Sequence, residues 1–116
     1  MKTCLAVNIR RTFVEGYWYV KFDIYDENKS KLINNINIST DPEVCSYQSL
    51  YEISNYLQRK NPDHVTIITD WIELIKGTYE DYNYPPSEYF KRTMESINYI
   101  IINVFDSELI EEFYSN

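Results

Sequence analysis

The chain has 116 residues, 44% of them apolar and 25% charged, with 18 acidic against 11 basic residues and a formal charge of −7. This length makes one ordinary domain, 1–116, and the composition excludes wholesale disorder. The acidic balance and scattered basic residues make nucleic acid a poor partner, because phosphate binding needs clustered lysine and arginine, and favour a protein with a basic surface.

The first forty residues predict three strands. Leu5, Val7 and Ile9 alternate with Ala6, Asn8 and Arg10, the period of a half-buried strand. Glu15-Gly16 supplies a turn, and Trp18, Val20, Phe22 and Ile24 form the next apolar face. The polar stretch Asp26 to Ser30 is a second turn, and Ile36 and Ile38 continue the pattern in an asparagine-rich third strand, completing an antiparallel meander.

After the turn signal Thr40-Asp41-Pro42 the period changes. Leu50, Ile53 and Leu57 form one stripe of a helix from about Ser46 to Lys60, which Asn61-Pro62 ends. The run His64 to Thr69 is apolar on both faces, as expected of a covered, parallel strand. A short helix then presents Ile72 and Ile75, with Gly77 placed to cap it. A tyrosine-rich acidic loop, Thr78 to Pro86, leads to a helix from about Ser87 with Phe90, Met94 and Ile97 inward. Tyr99 to Phe105 reads as a second fully apolar strand, and Asp106 or Ser107 caps a last helix with Leu109, Ile110 and Phe113. Right-handed crossovers place the two apolar strands parallel to the first, giving the strand order 3-2-1-4-5 with helices on both faces.

Cys4, Cys45 and the single histidine, His64, have no metal-site or disulfide spacing, which predicts two reduced thiols and a cytoplasmic protein. The N-terminus lacks a signal-peptide pattern, and no segment reaches the roughly 18–20 apolar residues of a membrane span. Two glycines in the whole chain argue against a phosphate-binding loop.

This order of elements is similar to the ribonuclease H-like fold. The most specific local match is VTIITDWIELIKG, residues 65–77, which resembles that fold's fourth strand, ending in Thr-Asp before a short helix. The resemblance implies carboxylates that hold two metal ions, Mg²⁺ or Mn²⁺, about 4 Å apart to activate water. It places them in the first strand near Asn8, in the first helix near Ser49 with Glu52 one turn away, at Asp70, and in the last helix among Glu108, Glu111 and Glu112. Nothing acidic lies between Met1 and Val14, so most of the set is missing. Asp70 also sits where a helix N-cap would, Asn8 where a sheet amide would, and His64 at an exposed strand end.

Three readings follow. The first is a non-catalytic acidic protein-binding module, of the kind phages and mobile elements encode to block a host nucleic-acid-binding protein. It needs no cofactor, and its expected contact surface is Tyr79, Glu80, Asp81, Tyr82 and Tyr84, a mixture suited to arginine and lysine. The second is a divergent metal-dependent nuclease using Asp70, Glu52 and Glu111. The third is a homodimeric structural or assembly protein pairing through the strand Lys31 to Ser39.

Overall fold

The computed structural model describes residues 3–76 and 85–103. Within them the elements run β1 Cys4–Val14, β2 Tyr17–Tyr25, β3 Lys31–Ser39, α1 Pro42–Lys60, β4 His64–Thr69, α2 Ile72–Lys76, α3 Pro85–Glu95 and β5 Asn98–Asn103. The expected contact residues Tyr79, Glu80, Asp81, Tyr82 and Tyr84 lie outside the described residues, as does the segment expected to form a last helix with Glu108, Glu111 and Glu112.

The five strands form one mixed sheet in the order β3-β2-β1-β4-β5, as the topology rules require. β1–β2 and β2–β3 are antiparallel, while β4 is parallel to both β1 and β5. The β1–β2 turn is tight because Glu15 and Gly16 both take positive φ, 51° and 87°, which matches the right-handed twist of a hairpin. In the second turn the Asp26 carboxylate accepts the N–H groups of Asn28 and Ser30, both at 2.9 Å.

Alternation sends Leu5, Val7 and Ile9, Val20, Phe22 and Ile24, and Val65 and Ile67 to one face. There they pack with Leu50, Ile53 and Leu57 of α1, Leu74 of α2 and Phe90 and Met94 of α3 in a single core. Truncating any of these larger side chains to alanine costs about 2–5 kcal/mol. No helix among the described residues is long and apolar enough to cross a membrane.

Two expectations need correction. α1 starts at Pro42, not near Ser46, because Asp41 is its N-cap: the side chain accepts the Glu43 N–H at 2.9 Å, and Pro42 occupies the first turn, where its missing donor costs nothing. The Thr40-Asp41-Pro42 signal marks a helix start as much as a turn. β5 is not covered on both faces. It is a sheet edge with Tyr99 and Ile100 each 48% exposed, and its apolar run reflects β-propensity more than burial.

Candidate functional site

The parallel register sets Ile9 beside Thr69 at the end of β4, so the chain leaves the sheet at Asp70 next to the Arg10–Arg11 stretch of β1. Both Asp70 carboxylate oxygens accept the Arg11 backbone N–H, at 3.0 and 3.3 Å. Asp70 is therefore not the cap of α2. The local turn is organised by its neighbours instead: Thr69 Oγ1 accepts the Trp71 N–H at 3.0 Å, and the Trp71 carbonyl accepts the N–H groups of Leu74 and Ile75.

Arg11 continues the inward series Leu5, Val7, Ile9, so its side chain enters the helix-covered face rather than solvent. Its guanidinium lies between two indoles, 5.2 Å from the Trp18 ring centre and 5.1 Å from that of Trp71. Nη1 is 3.7 Å from Glu73 Oε2, and the side chain is only 18% exposed. Phe13 packs on Trp18 at 5.2 Å, and Tyr47 meets Trp71 edge-on at 5.6 Å. Planar stacking on aromatic faces suits arginine and not lysine. Beside this stack a cleft of about 160 Å³ is lined by Arg11, Pro42, Glu43, Ser46, Tyr47, Trp71 and Glu73.

Among the described residues, the other expected positions, Asn8, Ser49 and Glu52, do not converge here. Asn8 pairs in register with Ile68 of β4 and Asp23 of β2, and it belongs to the sheet face opposite Arg11. Ser49 and Glu52 point instead to the edge strand β3. Asn37 Nδ2 donates to Ser49 Oγ at 2.8 Å and to Glu52 Oε2 at 2.9 Å, and Asn35 Nδ2 donates to the same Glu52 oxygen at 2.9 Å. These bonds pin the asparagine-rich β3 to α1. The α1 residues that line the Arg11 cleft are Pro42, Glu43, Ser46 and Tyr47, all in the turns before Ser49, because α1 begins at Pro42.

A pair of divalent ions needs several carboxylates around one point. Among the described residues no three histidine, cysteine, aspartate or glutamate side chains are placed to hold a metal. Asp70 has both oxygens engaged by an N–H, and the residue it binds carries a fixed positive charge. The described residues do not fit the metals that the resemblance implied.

The thiols take no part. Cys45 is buried in the first turns of α1 with Sγ 3.5 Å from the Pro42 carbonyl, and burial pushes its thiol pKa up rather than down. Cys4 is half-buried and also free. His64 opens β4, half-buried, with Nε2 3.4 Å from Thr66 Oγ1.

No protein-family model matches the chain, and no curated protein matches it in sequence. Solved structures do match. RNase H1 from the halophilic archaeon Halobacterium salinarum is 9% identical, covering 90% of this chain and 88% of its own, with a TM-score of 0.63. The N-terminal RNase H domain of Rv2228c from Mycobacterium tuberculosis is 8% identical, covering 97% and 91%, with a TM-score of 0.64. LC11-RNase H1 in complex with an RNA/DNA hybrid is 13% identical, covering 90% and 87%, with a TM-score of 0.59. The chain therefore has a ribonuclease H-like fold, a five-stranded mixed sheet with helices packed on it. Identities this low establish the fold and nothing finer.

Proposed function

We propose that this chain is a non-catalytic, acidic protein-binding module built on a ribonuclease H-like fold. The observation that carries the reading is the Arg11 guanidinium, clamped between Trp18 and Trp71 and joined to Glu73, next to the one aspartate that matches the fold's strand-four carboxylate. A cation built into the chain there opposes entry of a divalent ion. With a formal charge of −7, the complementary partner is a basic surface on another protein, such as a host nucleic-acid-binding protein met by a phage or mobile-element product.

The test has two arms. Incubation with RNA–DNA hybrid, single-stranded RNA and single-stranded DNA in Mg²⁺ or Mn²⁺ should give no cleavage beyond that of Asp70→Asn. Affinity capture at low and moderate salt should recover a stoichiometric basic protein whose binding weakens as salt rises. The second reading, a divergent metal-dependent nuclease, is supported by Asp70 at the end of β4 and by structural neighbours that are themselves named as ribonucleases H. Cleavage abolished by Asp70→Asn would establish it and end the first.

A further inference from the structure

We propose that β3 is a self-pairing edge: two copies of this chain join antiparallel along it across a two-fold axis, making one continuous sheet. The sheet ends at β3, so one side of this nine-residue strand has no ladder partner within the described sheet. Monomers blunt such edges with proline, central charges, bulges or shortness. β3 has no proline, and its one charged residue, Lys31, stands at its start. Its one irregularity lies at Leu32, between the pairs Ile24–Ile33 and Tyr25–Lys31, which leaves Ile33–Ser39 regular.

The side chains suit the same occupant. Ile36 and Ile38 are 52% and 57% exposed on the sheet face away from α1, opposite Lys21 and Tyr19 of β2. A two-fold axis through the middle of the regular segment sets Ile36 against Ile36 of the second copy. The same register sets Ile38 against Asn34 and Lys31 beside Asp41. Charge decides for a second copy over a foreign strand. The segment is basic where it begins, with Lys29 and Lys31, and acidic just beyond its end, with Asp41 and Glu43. An antiparallel copy brings each end against its opposite, and no other sequence needs to supply the match. Asn35 and Asn37 are already held by Glu52 and Ser49, so the strand is fixed to α1 before it pairs. The inference stands apart from the reading of Asp70, and a failed nuclease or capture assay leaves it untouched.

Sedimentation of the full chain at about 10–100 µM, where a micromolar pair is populated, should report a dimer. Ile36→Lys places like charges on the axis and should raise the dissociation constant about tenfold or more. Its monomer melt should be unchanged, because Ile36 packs in no core. Ile36→Cys under mild oxidation should form a covalent dimer that a reductant splits. A monomer throughout the range overturns the proposal. So does a dimer indifferent to Ile36→Lys, a failure of Ile36→Cys to cross-link, or open-ended filaments in place of a closed pair.

Discussion

Asp70 holds the Arg11 backbone N–H between its two carboxylate oxygens, at 3.0 and 3.3 Å, while the Arg11 side chain turns into the helix-covered face to stack on Trp18 and Trp71. One contact ties the end of β4 to β1 and fixes where the guanidinium starts. The aspartate that a nuclease would spend on metal is spent on the backbone.

Asp70→Asn keeps one acceptor oxygen for the Arg11 N–H and loses the charge that strengthens the bond. Asp70→Ala leaves that part-buried N–H without its partner. The expected losses are about 1 kcal/mol for asparagine and about 1–3 kcal/mol for alanine. Urea unfolding of both variants beside the parent measures them, and equal stability of all three would remove the structural role.

Arg11→Ala deletes two ring contacts and empties the space between the indoles, at an expected cost of about 2–3 kcal/mol. Arg11→Lys keeps the charge but not the flat, weakly hydrated group, so it should recover less than half of that loss. Tryptophan fluorescence, which reports Trp18 and Trp71 directly, should shift in both variants.

Asp41→Ala should cost about 1 kcal/mol through the lost Glu43 N–H bond, and Asp41→Asn much less. Amide exchange should quicken in the first turn of α1 and stay unchanged near Asn61. Uniform quickening along the helix would mean Asp41 acts on more than the cap.

Burial raises the Cys45 thiol pKa above its ordinary value, so the unfolded chain ionises first as pH climbs. The folded state binds the extra proton. Stability from this group is complete below the ordinary thiol pKa, declines above it, and levels off past the raised value. Cys45→Ala should flatten that alkaline slope, and an unchanged slope would assign it to other groups. At neutral pH a thiol reagent should label half-buried Cys4 well before Cys45.

Much of the architecture was legible in the chain. Alternation at Trp18, Val20, Phe22 and Ile24, the stripe of Leu50, Ile53 and Leu57, and the both-face apolar run ending at Thr69 are local periodic signals, and handedness did the rest. The candidate site was only partly legible. Asp70 stood out in the chain, but its contact with Arg11 did not, and the stack joins residues 11, 18 and 71, which no period connects. One sign was present: Arg11 occupies the inward slot after Leu5, Val7 and Ile9, where an arginine needs buried partners. Glu52 and Ser49 were misplaced because their bonds go to Asn35 and Asn37 across the sheet edge, a long-range pairing that no helix pattern reveals.

The central claim is that a built-in cation and an engaged Asp70 leave the described residues without a metal site. Titrating Mn²⁺ into the isotope-labelled chain tests it by nuclear magnetic resonance, since a bound paramagnetic ion broadens nearby amides selectively. The account predicts no selective broadening at Asp70, Trp71 or Arg11, only weak, uniform loss shared by exposed carboxylates and unaltered in Asp70→Asn. Selective broadening centred on Asp70 at low Mn²⁺, abolished by Asp70→Asn, would contradict it.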